Sequence, residues 1–297
     1  MTAKKNSSGG RHAKKSSSPR TNKSSDQKKP FDKPKRFSAK GKPNPYGKRV
    51  RKDTAKQRIE ESTEIRLNKY ISNSGICSRR DADTYIKAGS ATVNGKVITE
   101  MGYKVQLDDE VRFDGTLINP EVKRYVLLNK PKNFITTMDD EKGRDTVMSL
   151  VANASKERIY PVGRLDRQTT GLLLFTNDGE MAKKLTHPKH NVRKLYHASL
   201  DKKVALKDLQ KIGENFMLEG KMVFVDAVSY VDNQPKTEVG IEIHSGRNRI
   251  VRKIFAHFGY KVVKLDRVLF SDLTKKNLPR GHWRHLTQQE INNLKML

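Results

Sequence analysis

Leucine does not occur in the first 64 of the chain's 297 residues, and Val50 and Ile59 are the only β-branched aliphatics there. A segment so poor in large apolar side chains has little surface to remove from water and cannot offset the entropy of ordering itself. The same stretch holds 20 Lys and Arg against six Asp and Glu, and it is interrupted by prolines at 19, 30, 34, 43 and 45. Residues 1–62 are therefore expected to be a disordered basic tail. Any core must be built from Ile65 onward, a length that suits one small and one larger domain.

Charge narrows the class of partner. The whole chain carries +28, and removing the tail's +14 leaves 41 basic and 27 acidic residues, again +14, on residues 65–297. A folded part that is basic without its tail points to a polyanion. The single cysteine, Cys77, rules out an internal disulfide framework and any thiolate-rich zinc site, so a reducing cytoplasm is expected. No apolar run approaches the roughly 18 residues of a membrane span, and the start lacks the apolar region of a signal peptide, so neither membrane nor export is expected.

From Ile65 the pattern becomes helical. Ile65, Leu67, Tyr70 and Ile71 predict a short amphipathic helix ending near Gly75. Ser78 with Asp81 forms a capping-box signature for a second helix, whose Ala82, Tyr85, Ile86 and Gly89 fall at i, i+3, i+4 and i+7. Asn94-Gly95 between Ala91-Thr92-Val93 and Lys96-Val97-Ile98 predicts a hairpin with a type I′ turn. Val105 to Phe113 adds a further strand pair.

This order, with Gly-Ile-Cys-Ser-Arg-Arg-Asp-Ala at residues 75–82 and Val-Asn-Gly-Lys at 93–96, resembles the alpha-L RNA-binding domain of ribosomal protein S-four. The resemblance implies such a domain over residues 65–113 and makes Arg79 and Arg80, together with Lys69, candidate RNA contacts. A helix N-terminus disfavours cations, so two arginines there are better explained by a phosphate backbone than by helix stability.

A polar connection containing Pro120 leads to a larger unit over residues 122–297. Strands are expected at Tyr125–Leu128, Phe134–Thr137, Leu172–Thr176, Tyr196–Leu200 and Val223–Val228, with Val239, Ile241 and Ile243 alternating along another. Leu172-Leu173-Leu174-Phe175 is apolar without a helical period, which implies burial on both faces. Helices are expected at Glu180–Thr186, at Arg249–Phe258, and after Thr287, whose capping box is completed by Glu290. Helices interrupt the strands irregularly, so the fold class is α+β, on a mixed and mainly antiparallel sheet.

The segment Gly163-Arg164-Leu165-Asp166-Arg167-Gln168-Thr169-Thr170-Gly171 places one carboxylate in a cation-flanked loop just before the buried strand. Such a loop can present Asp166 to a cleft, with Arg164 and Arg167 favouring its ionised form. On this chemistry alone a structural ion pair accounts for Asp166 better than a catalytic role does.

The whole string through Asn177-Asp178-Gly179 resembles the second motif of the bacterial ribosomal RNA pseudouridine synthases. Four further segments follow in that family's order: Asn129-Lys130-Pro131-Lys132 with Phe134-Ile135-Thr136-Thr137, then Lys194-Leu195-Tyr196, then Gly246 to Phe255, then Leu265-Asp266-Arg267-Val268 with Leu278 to Thr287. The resemblance implies that Asp166 is the indispensable carboxylate, Tyr196 the ring against the target uracil, and Arg252 the cation paired with Asp166. It makes Leu265 part of the uracil pocket and Arg164 a backbone contact near the extruded nucleotide. Departures from the pattern occur at Asn133, Ile250 and His244.

The implied reaction converts uridine to pseudouridine in ribosomal RNA, with general similarity leaning to the large-subunit enzymes. It breaks one glycosidic bond and forms another to the same sugar, so it needs a carboxylate, a proton acceptor and a dry pocket, but no cofactor and no metal. His187 with His190, and His282 with His285, are spaced i, i+3 without thiolates or carboxylates nearby and are not expected to bind a metal. The partner expected is ribosomal RNA or a pre-ribosomal particle, and the protein a monomer. The competing possibility is a non-catalytic RNA-binding or ribosome-assembly factor with the same fold.

Overall fold

In the computed structural model, which describes residues 64–106 and 108–297, Ile65 does not begin a helix. Ile65 and Leu67 stand two residues apart, a strand period, and Ile65–Arg66 (β1) pairs antiparallel with Lys104–Val105 (β4) before helix α1 starts at Leu67. That helix, Leu67–Asn73, buries Leu67, Tyr70 and Ile71. Helix α2, Arg79–Lys87, opens on the capping box: Ser78 Oγ accepts from Asp81 N at 3.3 Å, and Asp81 Oδ2 accepts from Ser78 N at 3.3 Å. Strands β2 (Ala91–Val93) and β3 (Lys96–Val97) meet across Asn94 and Gly95, both at positive φ (49° and 78°), as a type I′ turn demands. With β5 (Val111–Phe113) and β6 (Thr116–Leu117) they form a sheet in the order β3-β2-β5-β6, and its core with the helices joins Leu67, Ile71, Ala82, Ile86, Val93 and Val111. The tail expected over residues 1–62 lies outside the described residues.

The larger unit begins at β7, Tyr125–Lys130. In chain order follow α3 (Val147–Leu150), β8 (Tyr160–Pro161), β9 (Thr169–Thr176), α4 (Gly179–Thr186), β10 (Lys194–Leu200) and α5 (Leu206–Gly213). The hairpin β11 (Phe216–Leu218) and β12 (Lys221–Val223) precedes β13 (Ala227–Tyr230), β14 (Glu238–Ile243), α6 (Ile250–His257), β15 (Val262–Phe270), β16 (Leu273–Thr274), β17 (Trp283–His285) and α7 (Gln288–Met296). The main sheet runs β13-β14-β10-β15-β9-β7-β17, antiparallel except where β9 and β15 lie parallel. All eight residues of β9 and all six of β7 are buried, as the continuous apolar run implied. The parallel pair leaves no room at Gly171, whose φ is 106° and where a Cβ would overlap the backbone of Arg267.

Two expected strands are different. Asn133 adopts φ 74° and turns the chain, so Phe134–Thr137 contributes only one bridge, Ile135 to Thr146, and its threonine side chains serve the neighbouring loop instead. The stretch Val223–Val228 is split into the ends of β12 and β13.

The two units are joined by a short connection that is hydrogen-bonded to both. Glu121 N donates to Asn73 O at 2.8 Å, while the Glu121 carboxylate accepts from Arg158 N at 3.2 Å and Asn177 Nδ2 at 3.4 Å. An ion pair between Lys69 on α1 and Glu180 on α4, at 2.8 Å, spans the same boundary.

Candidate active site

The loop that carries Asp166 is held from below by a buried cation. Lys130, at the end of β7, is fully buried, and its Nζ donates to the carbonyl oxygens of Thr169 (2.9 Å), Pro131 (3.1 Å), Asp166 (3.2 Å) and Arg167 (3.4 Å). Burial pushes the pKa of this ammonium down to about 8, partly opposed by the negative charge of Asp166. The segment that failed to become a strand supplies the remaining anchors. Thr136 Oγ1 donates to Leu165 O at 2.8 Å, Asn133 N to Arg167 O at 2.9 Å, and the Arg167 and Gln168 side chains donate back to Asn133. The Asp166 side chain is thereby left partly open to solvent, 39% exposed, while its backbone is fixed.

A cavity of about 500 Å³ opens beside it, lined by Arg164, Asp166, Tyr196, Leu265, Arg249 and others. That volume suits a single base or nucleoside. Paired registry sets the wall: Tyr196 on β10 lies opposite Arg267 on β15, and Ala198 opposite Leu265, so these four share one face of the sheet. A register shift between Leu195 and Tyr196 marks the position. Ile250 and Val251 of α6 contribute apolar surface. Lys194 also lines the cavity and donates to Val192 O (2.9 Å) and His244 O (2.7 Å); burial first, and then the charge of Arg267, lower its pKa to about 8. Thr169 and Arg267 are on the wall too, and Thr169 Oγ1 and Arg267 Nη2 are buried without a hydrogen-bond partner among the described residues.

Two arginines approach the carboxylate of Asp166: Arg249 Nε at 3.9 Å and Arg252 Nε at 4.0 Å from Oδ2. They differ in freedom. Arg252 is 16% exposed, donates to Val262 O at 2.8 Å, and is fixed. Arg249 is 60% exposed and sits at φ 50°, a left-handed conformation that costs a non-glycine residue about 1 kcal/mol.

Of the residues singled out in the sequence, the structure brings Asp166, Tyr196, Arg164 and Leu265 to one cavity and Arg252 to the side of Asp166. Arg79 and Arg80 are exposed on α2, with Arg79 Nη2 donating to Asn68 Oδ1 at 3.2 Å, and do not line the cavity. Lys69, expected as an RNA contact, is engaged by Glu180. The His187 ring accepts from Lys189 N, and among the described residues no group of three or more His, Cys, Asp and Glu is placed to hold a metal ion. Sequence reasoning missed Lys130, Arg249 and Thr136. All three lie inside the quoted motif segments, but neither composition nor spacing singles them out within those segments.

A carboxylate on a pinned backbone beside a nucleoside-sized cavity, with arginines near it and an α+β module with two exposed arginines ahead of it, defines an RNA-modifying enzyme. Residues 124–257 match the family model of RNA pseudouridylate synthases, and residues 65–111 match the S4 domain. The chain is 41% identical over 235 residues to ribosomal large subunit pseudouridine synthase B of Bacillus subtilis (strain 168), covering 78% of this chain and 96% of that protein. It is 37% identical over 233 residues to the dual-specificity RNA pseudouridine synthase RluF of Escherichia coli O157:H7, covering 77% and 78%. A crystal structure of a pseudouridylate synthase superposes with a TM-score of 0.55 at 29% identity, covering 77% of this chain and 99% of that one. The chain belongs to the RNA pseudouridine synthase family, in its branch with an N-terminal S4 domain.

Proposed function

We propose that the protein isomerises uridine to pseudouridine in ribosomal RNA of the large subunit, with Asp166 as its essential carboxylate. The observation that carries the reading is the placement of Asp166: backbone pinned by Lys130, side chain open to a cavity walled by Tyr196 and Leu265, and arginines at 3.9 and 4.0 Å. Likeness to the large subunit enzyme across nearly its whole length supports the choice of RNA.

In that cavity an extruded uridine places its sugar toward Asp166 and its base against Tyr196 and Leu265. Asp166, ionised beside Arg252, acts either as nucleophile at C1′ or as base at the 2′ carbon, and both roles release uracil by breaking the bond from N1 to C1′. The freed base turns inside the cavity and C5 bonds to C1′, breaking the Asp166–C1′ bond in the first role or with Asp166 returning its proton to C2′ in the second; the proton on C5 then leaves while N1 gains one. Tyr196, which lines the cavity, is assigned the C5 proton. No electron is gained or lost overall, so the reaction calls for no redox or group-transfer cofactor. Arg164 holds the backbone near the extruded nucleotide, and Arg79 and Arg80 bind phosphates farther along the RNA. The substrate is naked ribosomal RNA or a pre-ribosomal particle, the enzyme a cytoplasmic monomer. A factor that only binds RNA needs none of Asp166, Tyr196 and Arg252 in particular, which disfavours that alternative.

The test is to incubate purified protein with large- and small-subunit RNA, without additives, and map pseudouridine at single-nucleotide resolution. One position in the large-subunit RNA is expected, absent with Asp166→Asn, whose RNA affinity stays within a few-fold of wild type. An Asp166→Asn protein that still turns over, or modification confined to small-subunit RNA, would refute the respective part of the assignment.

A further inference from the structure

Arg249 holds a position for which the isomerisation as derived above has no use. Its guanidinium is as near to Asp166 Oδ2 as that of Arg252, at 3.9 against 4.0 Å, yet it makes no hydrogen bond among the described residues and is 60% exposed. Arg252 is bound to Val262 O and packed at 16% exposure. Two cations thus share one carboxylate, the inner one built in and the outer one free to leave. Burial disfavours the charge on Arg252 most, and the charge of Arg249 adds to that, against the pull of Asp166. The backbone of Arg249 is kept in the left-handed region, at φ 50°, within the Arg247–Arg249 stretch that lines the cavity, so the long side chain projects from a fixed base. Backbone strain of this kind persists where the surroundings impose it and gathers at functional sites.

An RNA strand brings a stronger partner than Asp166. A nucleotide whose sugar approaches Asp166 carries phosphates on both sides, and a guanidinium binds phosphate through two parallel N–H donors. At 3.9 Å, Arg249 has only a loose, solvent-screened contact to give up, and leaving relieves its repulsion with Arg252. We infer that Arg249 is an exchanging arm: it rests beside Asp166 in the free enzyme and moves to a phosphate flanking the target uridine when RNA enters, leaving Arg252 as the cation at the carboxylate. This inference rests on the assignment of Asp166 above and adds a specific nucleotide contact to it.

The test uses full-length protein and the stem-loop identified by the mapping experiment, made in three forms: all-phosphate, or with a neutral methylphosphonate 5′ or 3′ of the target. Single-turnover rates are followed against protein concentration for wild type, Arg249→Ala and Arg249→Lys. For all-phosphate RNA, Arg249→Ala is expected to need about tenfold more protein for half the maximal rate and to lower the salt slope of binding by about one unit, with Lys recovering most of the loss. One methylphosphonate should cost wild type a similar factor and cost Arg249→Ala less than about twofold, the signature of a shared contact. Losses that multiply at both phosphates overturn the inference while leaving the function intact. Wild-type protein that binds the all-phosphate RNA but forms no pseudouridine overturns both. Arg249 is exposed, so its variants are expected to keep the wild-type unfolding midpoint, and circular dichroism checks this.

Discussion

Lys130 Nζ donates to the main-chain carbonyl of Asp166 at 3.2 Å, so the buried ammonium positions the candidate catalytic carboxylate through its backbone and not through its charge. Three more carbonyls converge on the same nitrogen, at Thr169, Pro131 and Arg167. This side chain, together with the anchors from Asn133 and Thr136, therefore sets the shape of the loop.

Replacing Lys130 by Met keeps the volume but removes the buried donor shared by four carbonyls, of which Arg167 O keeps only Asn133 N and Asp166 O only Thr169 N. A stability loss of about 3 kcal/mol is expected at pH 7 from denaturant unfolding, and activity should fall about 100-fold even where the protein is folded, since small displacements of a reacting group are costly. The pH dependence has a definite sign. The folded pKa of Lys130, about 8, lies below its ordinary 10.5, so the unfolded chain binds the extra proton between those values. Wild-type stability relative to Lys130→Met should rise from pH 8 to 10.5; a constant difference would show that the ammonium is not strained by burial.

Gly171 sits where β9 and β15 run parallel, at φ 106°, and a Cβ there would overlap the main-chain oxygen and nitrogen of Arg267. Neither strand can retreat, since β9 is buried along its length and β15 is held by β10 on its other edge. Gly171→Ala is expected to destabilise the protein by about 3 kcal/mol or to prevent folding. A melting temperature within a degree or two of wild type would contradict this account of the parallel pair.

Much of this was legible in the sequence, for reasons that are local. The Ser78–Asp81 and Thr287–Glu290 capping boxes, the Asn94-Gly95 turn and the fully buried β9 are each decided by neighbouring residues, and each is present. Motif order singles out Asp166, Tyr196 and Leu265, and the three line one cavity. What was hidden depends on distant partners. A lysine after an apolar run reads as a solvated strand end, and nothing near Lys130 announces three carbonyls from another loop. Phe134–Thr137 has the β-branched composition of a strand, but Asn133 turns the chain and Thr136 bonds to Leu165, so no ladder forms. The approach of Arg249 to Asp166 arises only when α6 packs beside the loop. The parallel register of β9 with β15 is likewise invisible before the sheet closes.

Asp266 tests the reverse face of the same sheet. Its carboxylate accepts from Thr170 Oγ1 at 2.9 Å and pairs with Arg280 and Lys275. Burial alone would raise its pKa, but hydrogen bonds from Arg280 and Lys275 outweigh that and hold it down at about 2, below the ordinary 3.8. A depressed carboxylate stabilises the fold above its unfolded pKa and loses that contribution as pH falls through the folded value. Asp266→Asn should therefore cost about 2 kcal/mol at pH 7, a difference that shrinks between pH 4 and pH 2. Urea unfolding at pH 7, 4 and 2.5 measures it, and a difference that persists at the lowest pH would assign the effect to packing.

The ion pair of Lys69 with Glu180 decides whether α1 serves the RNA or the domain boundary. With side-chain exposures of 31% and 74%, it contributes well under about 1 kcal/mol to stability, so its effect should appear in geometry. Exchanging the charges separates the two roles. If the pair holds the S4 domain against α4, Lys69→Glu and Glu180→Lys should each lower the single-turnover rate at limiting RNA by about threefold, and the double exchange should restore it to within about twofold. If Lys69 instead binds phosphate, Lys69→Glu and the double variant should bind RNA equally weakly, and Glu180→Lys alone should bind as wild type or better. Restoration is the outcome expected, because Lys69 already has a partner at 2.8 Å while Arg80 on the neighbouring helix has none among the described residues. Measuring affinity at two salt concentrations alongside the rate keeps a general electrostatic effect, which scales with net charge, apart from the loss of this one contact.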